Sequence, residues 1–163
     1  LDAVPGTDGS GEPLMIDLGR VGQIEHVDPG IVKNLISSGF IPVVAPVAVD
    51  AEGAALNVNA DTAAGRIAGA LEAAKLVLMT DVDGIQDANG KRISSLRAAE
   101  VERLISDGVI RGGMIPKARC GLDAVVHGVE KVHIVDGRRR HALLLEIFTD
   151  EGVGTEIRRA RKR

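Results

Sequence analysis

The residues best placed for chemistry lie in Gly112-Gly113-Met114-Ile115-Pro116-Lys117-Ala118-Arg119-Cys120, a stretch that sets cations at the start of a helix. Pro116 suits a first helical position, and Lys117 and Arg119 fall in the turn after it. A helix N-terminus already holds roughly half a positive charge, so each added cation costs from a few tenths of a kcal/mol to about 1. A bound polyanion reverses that cost. The paired glycines let the backbone approach such an anion, and phosphate is the anion this arrangement suits. Lys117 is the candidate phosphate contact.

Two other polar stretches lie at strand ends. In Asn57-Val58-Asn59-Ala60-Asp61 both asparagines project from one face of an extended segment, where their amides can grip a carboxylate or amide ligand. Asp61, just inside the following helix, can fix lysine ammonium groups by charge-assisted hydrogen bonds. The alternative is an Asx turn with a helix cap. Thr80-Asp81-Val82-Asp83-Gly84-Ile85 follows a buried-strand pattern and bends at its glycine, which suits a nucleotide's ribose or base edge. A plain strand-end turn is the competing reading. EF-hand spacing is absent from this loop, and His26, His127, His133 and His141 form no metal-ligand spacing, so no metal site is assigned. There is no serine or cysteine nucleophile motif and no glycine-rich Walker loop, so a nucleotide would be held by other architecture.

Periodicity supplies the elements that must position these groups. Leu14 to Leu18 and Val21 to Val27 read as a hairpin around Gly19. Asp28 caps a helix that starts at Pro29, runs through Ile31, Leu35 and Ile36, and stops at Gly39. The near-continuous apolar run Ile41 to Val49 reads as a strand covered on both faces, with Pro42 and Pro46 at an edge or strand end. Helices are expected over Ala60 to Ala74, Ala98 to Ser106, Pro116 to about His127 and Arg140 to Phe148. Strands are expected at Lys75 to Thr80, Lys131 to Val135 and Val153 to Ile157. Strands alternating with helices imply a parallel sheet with helices on its faces, and ligands then gather at the carboxyl ends of the strands.

Composition narrows the function classes. The 163 residues are 45% hydrophobic, enough for a core, but include only two aromatics, Phe40 and Phe148. The core must be aliphatic, and platforms for stacking bases are missing. A net charge of -3 also argues against a nucleic-acid binder, and the basic run Arg158 to Arg163 reads as a solvated tail. Cys120 is the only cysteine, which excludes an intramolecular disulfide and fits a buried thiol in a reducing cytoplasm. No apolar stretch approaches the roughly 18 residues needed to span a bilayer, so no membrane partner is expected. The turn-rich start after Leu1 reads as a cut.

Taken in order with Leu145-Glu146-Ile147-Phe148-Thr149-Asp150, the three polar segments closely resemble the acetylglutamate kinases of the amino acid kinase family. The likeness runs from about Leu14 to Ile157 and matches only the later, larger part of such enzymes. It implies a three-layer αβα sandwich with a mainly parallel sheet, incomplete, in which residues of about 14–59 end the substrate-binding part and about 60–157 form the ATP-binding part. The implied reaction transfers the γ-phosphoryl group of ATP to the side-chain carboxylate of N-acetyl-L-glutamate, a step of arginine biosynthesis. By position, Asn57 and Asn59 would bind acetylglutamate, Asp61 would organise catalytic lysines, and Lys117 would stabilise the transferring group. Thr80, Asp81, Val82, Asp83, Gly84, Ile85, Gln86, Val109, Ile110 and Arg111 would line the ATP site. Mg²⁺ would arrive with ATP, with no protein ligand assigned.

His133, Glu146 and Gly152, with Gly154-Thr155, resemble the L-arginine effector segment of feedback-inhibited members. Their local alternatives are a core strand residue for His133 and a solvated helix face for Glu146. The intact enzyme would be a cytoplasmic homo-oligomer. The family's early lysine, its glycine-pair phosphate loop and its substrate-gripping arginine have no counterpart here, so the chain alone is expected to be catalytically incompetent. Two other readings stand beside this one: a sibling kinase acting on carbamate, aspartate or UMP, and a non-catalytic fragment that senses arginine or mediates assembly.

Overall fold

A computed structural model describes residues 3–159, and the chain divides into two units, Leu1–Ala63 and Ala64–Arg163. In the first unit β1 (Ala3–Thr7) pairs antiparallel with β2 (Pro13–Asp17). The hairpin expected around Gly19 is therefore not formed. Asp8 explains the difference, because its Oδ1 accepts the amide protons of Ser10 and Glu12, both at 2.9 Å, and builds the turn one segment earlier. Of the expected strand from Val21 to Val27, a single bridge from Val21 to Asn57 is present.

α1 (Gly30–Ser37) follows, and Asp28 Oδ1 accepts the Gly30 amide at 2.8 Å. Bonds from Gly39 N–H to Ile36 O and from Phe40 N–H to Leu35 O close its C-terminus as a Schellman turn. β3 (Val47–Val49) and β4 (Ala55–Asn57) form a second antiparallel hairpin. The strand expected from Ile41 onward is thus reduced to its last three residues. Ile41 is 91% and Val43 96% exposed, since nothing within this unit covers them or pairs with them.

α2 (Ala60–Ala70) crosses the boundary, and it ends earlier than expected because Glu72 turns left-handed at φ 52°. The second unit holds β5 (Lys75–Thr80), β6 (Ser95–Arg97), α3 (Ala98–Ser106), α4 (Met114–Val126), β7 (Lys131–Asp136), α5 (Ala142–Phe148) and β8 (Thr155–Arg158). The four strands form one sheet in the order β5-β7-β8-β6. β5 with β7 and β6 with β8 are parallel, whereas β7 and β8 run antiparallel.

Alternation along the strands builds three layers. Leu76, Leu78, Leu96, Val132, Ile134 and Ile157 pack against Ala68, Val101, Ala118, Leu122 and Val125 of α2, α3 and α4. On the opposite face Val77 and Val135 meet Ala142 and Leu145 of α5, with Val153. Among the described residues the buried hydrophobic side chains are aliphatic, and Phe40 and Phe148 are both exposed. Cys120 is half-buried rather than the buried thiol expected, with its Sγ packed close to Gly65 of α2. No described helix is long and apolar enough to cross a membrane.

Candidate functional site

Strand β5 delivers its carboxyl end to a loop that is held rigidly. Gly84 adopts φ +120°, and a Cβ there would lie 2.6 Å from Thr155 Oγ1. The next residue, Ile85, is 1% exposed, and its N–H donates to Thr155 Oγ1 at 2.9 Å. The same hydroxyl donates to Ile93 O at 2.7 Å, so one buried threonine of β8 ties both ends of the loop. After α3, the amides of Val109 and Ile110 both return to Leu104 O, which sets the turn carrying Arg111.

These two turns enclose a cavity of about 240 Å³, with Val82, Gly84, Ile85 and Gln86 on one side, Val109, Ile110 and Arg111 on the other, and Met114 at its edge. Seven of the ten residues singled out for a nucleotide are therefore brought together. Thr80, Asp81 and Asp83 are not in that lining. Instead, Asp81 and Asp83 act on a group that the sequence reading passed over. Asp136, at the end of β7, receives Arg138 Nε at 3.0 Å and Arg138 Nη2 at 2.9 Å, and Asp81 and Asp83 add to the negative field around that guanidinium. A carboxylate closing a strand, followed by Gly137 and three arginines, was the available signal.

The Arg138 side chain and amide hold the Asp136 carboxyl down from 3.8 to about 2. A depressed carboxyl stabilises the fold fully above its unfolded value and ceases to do so as pH falls through its folded value. The contribution is thus present above about pH 4 and disappears toward pH 2. Thermal melts at stepped pH should show Arg138→Ala below the parent above pH 4, with the two curves converging toward pH 2; a gap independent of pH would refute this.

Helix α4 starts at Met114 rather than at Pro116. Pro116 is then its third residue, among the first four whose N–H groups have no acceptor within the helix, so its missing proton costs no bond. Lys117 completes the first turn instead of opening it, is half-buried, and stands three residues from Met114 on the same helix face. In the first unit Asn57 and Asn59 are exposed on either side of buried Val58. Asn59 Oδ1 accepts the Thr62 amide at 3.0 Å, so it caps α2 and keeps only its amide protons for a ligand. Asp61 lies in the first turn of α2, where a negative charge is favoured.

A second cavity, of about 620 Å³, opens beside β7 and α5. His133 is 5% and Glu146 8% exposed at its base, joined by 2.7 Å between Nδ1 and Oε1. Glu146 Oε2 also accepts the amides of Val153 at 2.6 Å and Gly154 at 2.7 Å. Burial pushes the Glu146 carboxyl up, but these hydrogen bonds and His133 outweigh it and hold the group below its ordinary value. A carboxylate only accepts, so the ring must donate from Nδ1. His133 Nε2 is buried without a hydrogen-bond partner, which in the neutral ring makes it a bare acceptor. Gly152, at φ +59°, leaves no room for a Cβ, which would stand 2.7 Å from Glu146 Oε2. His133, Glu146 and Gly152 thus form one cluster, and Glu146 is not on a solvated helix face. Around the cluster stand Lys75, Lys91, Arg92 and Lys131, the last paired with Glu156 at 2.8 Å.

Comparison with known proteins places this geometry in context. A model of the amino acid kinase family matches residues 1–136. An acetylglutamate kinase of Syntrophobacter fumaroxidans is 56% identical over 150 residues, which cover 92% of this chain and 50% of that protein. One from Halorhodospira halophila is 54% identical over 147 residues, covering 90% and 49%. The chain therefore spans about half the length of the curated relatives it matches. Among solved structures, the N-acetylglutamate synthase of Neisseria gonorrhoeae complexed with coenzyme A and L-arginine superposes with a TM-score of 0.81 at 28% identity, over 97% of this chain and 36% of that one. Carbamate kinase of Giardia lamblia bound to AMP-PNP gives 0.66 at 20% identity, over 97% and 51%, a likeness of fold.

Proposed function

Because the chain belongs to the amino acid kinase family, we propose that it supplies the nucleotide side and part of the acceptor side of an acetylglutamate kinase. The reaction moves the γ-phosphoryl group of ATP to the side-chain carboxylate of N-acetyl-L-glutamate, giving an acyl phosphate and ADP. The observation that carries the reading is the 240 Å³ cavity beyond the carboxyl end of β5, formed by two turns distant in sequence. It is smaller than the pockets of roughly 300 Å³ and more that hold whole ligands, which suits a base and ribose with the phosphates running outward. Lys117, one turn along α4 from the Met114 edge, is the cation assigned to the transferring group.

Phosphoryl transfer asks a protein mainly for alignment and for positive charge on the equatorial oxygens. In this reading Lys117 supplies charge, Asp61 orients ammonium groups, and Asn57 and Asn59 offer amide protons to acetylglutamate. Mg²⁺ bound to the ATP phosphates would neutralise part of their charge. Asp81 and Asp83, outside the cavity lining, act on the Arg138 guanidinium, and Thr80 hydrogen-bonds Asp81. The same reading takes the intact enzyme to be a cytoplasmic homo-oligomer. Identities of 50–56% to acetylglutamate kinases favour this acceptor over carbamate, aspartate or UMP.

Calorimetric titration with a non-hydrolysable Mg·ATP analogue tests the site on the chain itself. Lys117→Ala should weaken binding about tenfold, equivalent to about 1.4 kcal/mol. An unchanged affinity would remove Lys117 from the site, and absence of binding by the parent would remove the nucleotide reading. The chain alone should form no acyl phosphate from acetylglutamate, trapped as its hydroxamate.

A second ligand is favoured by the orphaned Nε2 of His133. We assign the 620 Å³ cavity to L-arginine, whose guanidinium would donate to Glu146 and His133 Nε2.

A further inference from the structure

The turn after β7 is fastened to the end of β5. Thr80 and Asp136 stand opposite one another in the register of these two strands, and the Gly137 N–H donates to Thr80 O at 2.8 Å. Glycine suits this close approach, because a Cβ at 137 would press on Met79 Cε at 3.2 Å. Arg138 therefore starts beside the residues that follow β5.

Those residues carry an electrostatic problem. Asp81 and Asp83 flank Val82, which lines the smaller cavity, and the Asp83 side chain comes within hydrogen-bond reach of Asp136. Three carboxylates thus crowd a strand end of the kind at which ligands of α/β sheets collect. Their combined charge repels an approaching polyanion unless a cation stands among them. Arg138 is placed to be that cation. Its amide and Nε donate to Asp136 Oδ1 at 2.9 and 3.0 Å, and its Nη2 donates to Oδ2 at 2.9 Å. Asp81 and Asp83 both attract the same guanidinium. The Arg138 side chain is 67% exposed and that of Asp136 12%, so the cation lies on the solvent side of the cluster, from which a polyanion arrives.

We infer that Arg138 is a positioning residue for the phosphate end of the nucleotide: it neutralises the group formed by Asp81, Asp83 and Asp136 and holds the turn at 80–84 where a triphosphate can pass. It acts through these carboxylates and lines neither cavity. The inference rests on the nucleotide reading of the smaller cavity and not on the acceptor substrate. Lysine at this position would keep the charge and lose the planar fork, so it separates the electrostatic role from the architectural one.

The test titrates the parent, Arg138→Ala and Arg138→Lys calorimetrically with a non-hydrolysable Mg·ATP analogue near neutral pH, at low salt and at about 0.5 M salt. At low salt Arg138→Ala should bind about fivefold more weakly than the parent, and Arg138→Lys within about twofold of it. At about 0.5 M salt the alanine and parent affinities should converge, because the screening length falls to about 4 Å. A loss that is equal at both salt concentrations, or that lysine shares with alanine, would mark a purely structural residue and overturn the inference. So would an alanine chain that binds like the parent at low salt. A parent that binds no analogue removes the nucleotide reading itself and this inference with it, whereas a parent that binds beside indifferent variants removes the inference alone.

Discussion

Glu146→Ala should destabilise the second unit by about 3 kcal/mol, because it strands two buried amides and a buried imidazole nitrogen at about 1–3 kcal/mol each, partly relieved by water entering the adjoining cavity. The melting temperature should fall by about 10 °C, read by calorimetry. Glu146→Gln separates architecture from recognition. Its amide oxygen can still accept from Val153 and Gly154, and its NH₂ then faces His133 Nδ1, which must change from donor to acceptor. The proton moves to Nε2. The cavity then offers a donor where a guanidinium needs an acceptor, so Glu146→Gln should melt within a few degrees of the parent yet lose the stabilisation by L-arginine that the effector proposal expects of the parent. If the glutamine chain is still stabilised by arginine as the parent is, the effector assignment fails; if the alanine chain melts with the parent, the anchoring role of Glu146 fails.

Thr155→Val comes next in expected size. Valine fills the same volume but leaves the Ile85 N–H and the Ile93 carbonyl without their partner, at an expected cost of about 2–4 kcal/mol. Thr155→Ser retains the hydroxyl and should cost much less. The distinguishing readout is local: exchange of the amides from Gly84 to Gly90 should accelerate in the valine chain and not in the serine chain, because the loop has lost its tie to β8. Equal behaviour of the two variants would show that packing, and not the hydroxyl, holds the loop.

The sequence is most readable where local signals and burial agree. β5 follows from an apolar run and β7 from aliphatic residues interrupted only by His133, and α3 from Glu100, whose carboxylate accepts the Arg97 amide at 2.7 Å, and from Gly108 beyond its end. Misreadings occur where a distant group decides. The β1–β2 pairing turns on one oxygen of Asp8, and β6 is a three-residue strand that exists because β8 comes back beside it. The run from Ile41 reads as a strand because a near-continuous apolar run reports what a segment can bury, but within the first unit no strand pairs with residues 41–44 and no layer covers them. At the site, the two turns around the smaller cavity were legible one by one, but the burial of Glu146 was not. That depends on the amides of Val153 and Gly154 arriving from a later segment, which no pattern within α5 records.

The strand order has a consequence for biosynthesis. β8 lies between β7 and β6, so the sheet stays in two pieces on the ribosome until residues 155–158 have cleared the exit tunnel. Until then β7 exposes an open edge and the loop at Ile85 has no tether, a state prone to capture by chaperones. Maturation of this unit should therefore lag translation, gated by its last strand and not by its first.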